Sequence, residues 1–285
     1  MTVTESTQTL IRAGVMGWPI GHSLSPRVHG FWLRELGIQG EYMRIPVEPE
    51  NFAAKLKSLK DEGFAGGNVT VPHKEAALAN VDEVDPLAGR IGAVNTIVVR
   101  EDGSLFGTNT DGFGFMENLR QGFQGFDAAK GPAVVLGAGG AARAIIVSLL
   151  DAGAPEVRLL NRTQDRAEHL AKELGGSSIS VEDWQDRDVQ LSEAALLVNT
   201  TTLGMQGQHA LDLDLRALPE EALVNDIVYA PLKTDLLERA AARGNPVVDG
   251  LGMLLHQARP GFKAWFGQMP DVTDELRAYV LAGTS

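Results

Sequence analysis

A chain of 285 residues with 44% apolar and 22% charged side chains is long enough for one large domain or two ordinary ones, and too apolar to be disordered. Its net charge of −12 argues against nucleic acid or an anionic membrane as a partner, so an anionic ligand has to be held by local positive groups. With no cysteine there is no disulfide, thiol catalysis or cysteine-based zinc site, and no apolar run approaches a membrane span. The opening Met1–Leu10 is polar, carries Glu5 and lacks the basic-then-apolar pattern of a secretion signal, so a cytoplasmic location is expected.

In chain order, Ala13–Trp18 reads as a short apolar strand. Ser25-Pro26 reads as a helix start, cap then proline, running into Val28–Leu36. Tyr42–Val47 is a predicted strand, Phe52–Leu59 carries apolar residues at helical spacing, and Ala65–Val71 is the next strand. Val94–Val99 and Leu105–Phe106 form a predicted hairpin around Glu101-Asp102-Gly103. This βαβα order over residues 1–110 predicts a small mixed or parallel α/β layer.

A second unit begins near Asp111. Ala133–Leu136 is a short buried strand, Gly137–Arg143 opens the helix Ala144–Leu150, and Val157–Leu160 is the following strand. A charged amphipathic helix is expected over Thr163–Leu174. Ala195–Asn199, Leu223–Val228 and Pro246–Val248 are expected in the same sheet, and the chain closes with helices over Leu251–Trp265 and Thr273–Leu281.

The segment richest in chemistry is Asn68-Val-Thr-Val-Pro-His-Lys74. Asn68 and Thr70 sit two apart in an apolar run, so on a strand they share a face. Pro72 suits the first position of a helix, with Thr70 or Val71 at the cap. Lys74 then falls in the first turn, where the helix dipole disfavours a cation, so a reactive lysine is indicated. The bland alternative is a solvated surface lysine after a turn.

Gly137-x-Gly139-x-x-Ala142 follows a strand and begins a helix, as a dinucleotide fingerprint requires. Its glycines allow a tight turn and close approach of the backbone to a pyrophosphate, which the helix N-terminus then favours. Plain structural glycines are the alternative. The end of the next strand separates the two dinucleotides. An NAD site places a carboxylate there, whereas this chain has Asn161-Arg162-Thr163 and then Arg166 on the same helix face. Two cations without a carboxylate suit the 2′-phosphate of NADP. Alternatively, Arg162 merely starts a helix and Arg166 pairs with Asp165.

Ser23 and Ser25 place two hydroxyls before a helix N-terminus, a site for a small carboxylate, although local sequence alone favours Ser25 as a simple N-cap and Ser23 as an exposed loop residue. In Asn109-Thr-Asp111, the aspartate is placed either to orient Lys74 or to cap a helix. Asn95 starts a strand and has a structural reading too. The six histidines are scattered without metal-ligand spacing, so all read as structural or surface residues and no metal is implied.

Taken together, these motifs resemble the shikimate dehydrogenase family. The resemblance runs from about Ala13 to the last helix. It is carried by His22–Pro26, Asn68–Lys74, Gly92–Thr96, Asn109–Phe115, Gly137–Arg143, Asn161–Thr163, Asn199–Met205, Tyr229–Thr234 and Asp249–Gln257. It departs at Gly30, where the family commonly has asparagine, and at Gln206-Gly-Gln208, which lacks a frequent proline.

The resemblance implies an α/β enzyme of two domains with the active site in the cleft. Residues 1–110 with 250–285 would form a discontinuous substrate domain, and 111–249 an inserted Rossmann domain that binds NADP. By that resemblance Ser23 and Ser25 bind the substrate carboxylate, while Asn68, Thr70, Asn95, Asp111 and Gln257 hold its ring hydroxyls. Lys74 is the acid–base with Asp111, and Tyr229 lies near the substrate. Gly137, Ala138, Gly139, Gly140, Ala141, Asn161, Arg162, Thr163, Arg166, Thr200 and Gly250 belong to the NADP site. The implied reaction is reversible NADPH-dependent reduction of 3-dehydroshikimate to shikimate by a monomer or homodimer. Alternatives are a paralogue acting on quinate or an amino-substituted analogue, and a non-catalytic NADP-binding sensor. The sensor need not keep Lys74 and Asp111 together, and both are present.

Overall fold

A computed structural model of the chain describes residues 10–283, so the polar opening stretch read above lies outside it except for Leu10. Among the described residues no helix is long and apolar enough to cross a membrane. The chain divides into two units, one comprising the described residues up to Gly89, Ala93–Thr110 and those from Ala258 onward, the other Arg90–Gly92 and Asp111–Gln257.

The first unit begins with β1 (Ile11–Gly17), α1 (Ser25–Glu35), β2 (Gly40–Pro46), α2 (Phe52–Ser58) and β3 (Phe64–Val69). There follow α3 (Lys74–Asn80), β4 (Glu83–Val84), α4 (Pro86–Ile91), β5 (Thr96–Val99) and β6 (Leu105–Thr108). The sheet order is β2-β1-β3-β5-β6-β4. Strands β2, β1 and β3 are parallel, β5 and β6 form the expected antiparallel hairpin, and β4 adds parallel to β6. The layer is therefore mixed. One core gathers Met16, Phe52, Leu56, Leu59, Val69, Ala77 and Ile97. A second cluster is aromatic, with His29, Trp32, Tyr42, Phe262 and Trp265 in mutual ring contact. Gly66 makes room for it. At φ 149° its position would bring a Cβ into the Trp265 indole, whose Nε1 donates to the Ile97 carbonyl at 2.9 Å.

The second unit continues with α5 (Asp111–Gly122), β7 (Ala133–Leu136), α6 (Gly140–Asp151), β8 (Val157–Leu160), α7 (Gln164–Leu174) and β9 (Ile179–Glu182). Then come β10 (Leu196–Asn199), β11 (Leu223–Asp226), α8 (Asp235–Ala242), β12 (Val247–Val248) and α9 (Leu251–Phe266). The final helix, α10 (Asp274–Leu281), returns to the first unit. All six strands of the second sheet are parallel, in the order β12-β11-β10-β7-β8-β9. That is the doubly wound Rossmann arrangement, with the order reversing beside β7. Alternate strand residues feed two cores: Val135, Leu159 and Val198 on one face, and Val134, Leu197 and Val224 on the other. Both faces are covered, which explains strands that read as unbroken apolar runs.

Local structure corrects two helix starts. Ser25 is the first residue of α1 rather than its cap; Leu24 holds the cap position and no side chain bonds there. Helix α3 begins at Lys74 with His73 at the cap, not with Thr70 or Val71. The Val71–Pro72 peptide is cis and the His73 N–H closes a turn onto the Thr70 carbonyl at 2.9 Å, so Pro72 belongs to that turn and not to the helix. The unit boundary also falls inside α9, between Gln257 and Ala258. Gly250–Gln257 pack with the second unit because α5 sits against them: Gly114 leaves no space for a Cβ beside Gln257, and Asn118 Nδ2 donates to the Asp249 carbonyl at 2.7 Å.

Candidate active site

In the first unit the expected substrate residues collect where β1 and β3 end. Asn68 is opposite Val15 on one side and Thr96 on the other, so the end of β3 meets the start of β5. There the side chains bond to one another. The Tyr42 hydroxyl donates to Asn68 Oδ1 at 2.6 Å, and Asn68 Nδ2 donates to the Asn95 carbonyl at 3.2 Å and to Thr96 Oγ1 at 3.1 Å. Asn95 Oδ1 accepts from the Thr110 N–H at 2.9 Å and from Thr96 Oγ1 at 2.8 Å. Asn68, Asn95, Thr96 and Thr110 are all buried, so unmade bonds here would be costly.

Thr70 follows β3, half-buried, with its N–H on the Met16 carbonyl at 2.9 Å. Lys74 is half-buried at the first position of α3, and its carbonyl accepts from the Val94 N–H at 3.0 Å, tying it to the Gly92–Thr96 segment. Ser23 Oγ accepts from the Ser25 N–H at 3.3 Å, so the two serines share one turn ahead of α1. Arg44, unremarked in the sequence, fixes that turn by donating from Nε and Nη2 to the Ser23 carbonyl at 3.1 and 2.7 Å.

Burial dominates the titration of two groups beneath this cluster. His29, fully buried and with neither ring nitrogen hydrogen-bonded, is lowered to about 3, the nearby Asn68 amide offsetting only part of the effect. Tyr42 is raised well above the ordinary phenol range by the same loss of water, so its hydroxyl keeps its proton. Neither His29 nor Tyr42 announced itself in the sequence, because each occupies an ordinary apolar position of a helix or strand. His73 is likewise structural, stacked on Phe52 with Nε2 at 2.7 Å from the Val47 carbonyl.

In the second unit the glycine turn sits at the carboxyl end of β7, where the strand order reverses and ligands of open α/β sheets bind. Gly137 has φ 106°, a conformation glycine adopts freely, and a Cβ there would come within 2.6 Å of Thr200 Oγ1. Thr200 in turn donates through Oγ1 to the Leu136 carbonyl at 2.8 Å, which brings it beside the turn. Gly139 is the cap of α6 and Gly140 its first residue; both are exposed, and a Cβ on Gly139 would meet nothing within 4 Å. Ala138 and Ala141 flank them half-buried.

Past β8, Asn161 Nδ2 donates to the Thr163 carbonyl at 2.8 Å, so its amide shapes the turn. Arg162, Thr163 and Arg166 are exposed, and among the described residues neither guanidinium has a hydrogen-bond or ion-pair partner, Asp165 included. An open backbone cradle and two uncommitted guanidinium groups fit a dinucleotide with a 2′-phosphate. Gly250 has a reason of its own to be glycine, since a Cβ would overlap the Ile227 carbonyl.

Asp111, buried, opens α5, and Gln257, half-buried, donates within α9 to the Leu254 carbonyl at 3.0 Å. Gly114 brings their helices together. Tyr229 is half-buried, its hydroxyl raised in pKa by burial. It follows a buried network that the sequence did not reveal, in which Asp226 accepts from Asn199 Nδ2 at 3.1 Å, the Val228 N–H at 3.0 Å and Thr234 Oγ1 at 2.7 Å.

A Rossmann sheet with an open glycine turn at its switch point, carried with a second α/β unit rich in oriented amides and hydroxyls, defines a nicotinamide-dependent oxidoreductase of two units. Family models agree in detail: the shikimate dehydrogenase substrate-binding domain matches residues 15–97, the shikimate/quinate 5-dehydrogenase domain 119–206, and the shikimate 5′-dehydrogenase C-terminal domain 250–274. The NADP-dependent shikimate dehydrogenase of Paramagnetospirillum magneticum is 63% identical over 270 residues, 95% of this chain and 98% of that protein. The Thermus thermophilus shikimate 5-dehydrogenase, solved with NADP(H) and shikimate, is 42% identical with a TM-score of 0.85, covering 96% of this chain and 100% of that one. Quinate dehydrogenase of Corynebacterium glutamicum, solved with NAD, is 30% identical with a TM-score of 0.88, covering 96% and 99%. The chain belongs to the shikimate dehydrogenase family, NADP-dependent oxidoreductases.

Proposed function

We propose that this chain catalyses the reversible, NADP-dependent reduction of 3-dehydroshikimate to shikimate, a step towards the aromatic amino acids, in the cytoplasm and as a monomer or homodimer. The observation that carries the reading is the position of Lys74. It is the first residue of α3, reached by the short turn through Thr70 that follows the Asn68 end of β3.

Bound NADP supplies or accepts the hydride. In reduction, Lys74 Nζ gives a proton to the developing alkoxide and its charge stabilises that oxygen; in oxidation it takes the proton back. Asp111 orients the ammonium. The Ser23 and Ser25 hydroxyls hold the substrate carboxylate, and Asn68, Thr70, Asn95 and Gln257 hold the ring hydroxyls, with Tyr229 alongside. The Gly137–Ala141 backbone and Thr200 receive the pyrophosphate side of the cofactor and Gly250 its nicotinamide amide. Arg162 and Arg166, with Asn161 and Thr163, receive the adenosine phosphate. In this assignment residues 1–110 with 250–285 form the substrate domain and 111–249 the cofactor domain, with Asp111 and Tyr229 of the latter turned to the substrate and Gly250 of the former to the cofactor.

The test is steady-state turnover of shikimate and quinate, each with NADP and with NAD, followed at the nicotinamide absorbance band. Shikimate with NADP should give the highest kcat/KM of the four. Faster turnover of quinate, or absence of turnover with shikimate, would refute the assignment.

A further inference from the structure

Asp226 ends β11 as a fully buried carboxylate whose partners are three neutral donors. Such a group is costly to bury, and the reaction described above gives it no task. Burial pushes its carboxyl up, against the pull of Thr234, the Val228 N–H and Asn199. Each donor has its direction set by something else. Asn199 Oδ1 accepts from the Thr201 N–H at 3.0 Å and from Thr201 Oγ1 at 2.7 Å. Its Nδ2 is therefore left to donate, to the Leu203 carbonyl at 3.1 Å and to Asp226 Oδ1 at 3.1 Å. Thr234 Oγ1 takes the Leu237 N–H at 3.4 Å and gives its own proton to Asp226 Oδ2 at 2.7 Å. The Val228 N–H, a backbone donor, meets Oδ1 at 3.0 Å. Asp226 accepts from all three, so the place asks for an unprotonated carboxylate.

Through these bonds one side chain reaches two loops. Asn199 closes β10 directly before Thr200, and by holding Thr201 and Leu203 it shapes the loop that follows. Val228 comes directly before Tyr229 in the loop after β11. The two loops also meet, the Gln206 N–H donating to the Ala230 carbonyl at 2.8 Å. We infer that Asp226 is a positioning residue whose carboxylate ties the loops after β10 and β11 into one piece, so that Thr200 on the cofactor side and Tyr229 on the substrate side answer to one anchor. Loosening that anchor weakens both ligands at once. A residue that only supported the sheet would lower stability and leave the constant for each ligand unchanged. The roles of Thr200 and Tyr229 are those of the function proposed above, on which this rests; what is added is the group that sets both.

The experiment is a double-mutant cycle on KM for shikimate and KM for NADP, with thermal unfolding and calorimetric NADP titration beside it. Asp226→Asn keeps the shape and can keep an oxygen towards Asn199 and Val228, but it turns an amide N–H to the Thr234 proton. Both KM values should rise about 10-fold. In a Tyr229→Ala background the same substitution should still raise KM for NADP and add little to that for shikimate; in a Thr200→Ala background the pattern should reverse. Unchanged constants in a folded Asp226→Asn protein, or full additive increases in both backgrounds, would overturn the inference. If Asp226→Asn does not fold, Thr234→Val, which removes the hydroxyl on Oδ2, takes its place in the cycle with the same expectations. If the wild-type protein does not turn over shikimate, the proposed function fails. NADP titration of Asp226→Asn against wild type then tests the cofactor half by itself: a weaker Kd supports the anchor, and an unchanged one overturns it.

Discussion

The imidazole of His29 lies flat on the ring of Tyr42, with centroids 3.8 Å apart and planes 4° from parallel. Stacked and dry, His29 is neutral in the folded protein until about pH 3, whereas an exposed histidine takes up its proton near 6.5. Between those values the unfolded chain binds more protons than the folded one. Stability is therefore full above about 6.5 and is lost as the pH falls towards 3. From pH 7 to 5 the loss from this residue should be about 2 kcal/mol. The carboxylates of Glu62 and Glu173, lowered chiefly by hydrogen bonds from Lys55 and Arg143, act at lower pH. Urea unfolding at pH 7 and pH 5 of wild type and His29→Phe checks this: the mutant should lack most of the decline. Equal declines would mean that His29 finds a proton or a partner in the folded state.

Lys74→Ala should lower kcat by about 10²- to 10⁴-fold, with a smaller change in shikimate affinity, as expected when a general acid–base is removed. The measurement is turnover at saturating substrate, beside a circular dichroism spectrum confirming the fold. Near wild-type kcat in a folded mutant would remove Lys74 from the chemistry.

Replacing Ser23 and Ser25 together by alanine should weaken shikimate binding more than NADP binding. Since Ser25 caps no helix, its hydroxyl is not committed to an N-terminal N–H of α1. Each hydrogen bond to a carboxylate is worth roughly 1.5–3 kcal/mol. Calorimetric titration with each ligand decides it, and unchanged shikimate affinity would leave the serines a purely local role in the turn.

Arg162→Ala should erase most of the cofactor preference. Two guanidinium contacts to a phosphate, at roughly 1.5–3 kcal/mol apiece, set a preference for NADP over NAD of at least about 10²-fold in kcat/KM. Because Arg162 is exposed and has no partner among the described residues, its removal should harm only the NADP reaction. Equal losses with NADP and NAD would show that it supports the turn instead.

Where a strand was short and apolar, as at Ala133–Leu136 and Val157–Leu160, composition was enough, and the structure keeps those limits. The glycine turn was legible for the same reason: its requirement is local, a backbone conformation and a missing Cβ. Edge strand β9 was not legible, because Ile179-Ser-Val-Glu182 is half-buried throughout and owes its form to pairing with β8. Pro72 does not start the helix, because the His73 N–H closes a turn onto the Thr70 carbonyl and α3 begins only at Lys74, a contact that sequence pattern does not show. The sequence by itself determined which side chains could do chemistry, since Lys74, Asn68 and Arg162 are given by type and neighbourhood. Only the tertiary structure decided how the amide of Asn68 is oriented and what His29 and Tyr42 do. The Asn68 amide depends on the Asn95 carbonyl and Thr96, 27 and 28 residues further along, and hydrogen-bond direction is set by whichever donor or acceptor the fold brings alongside.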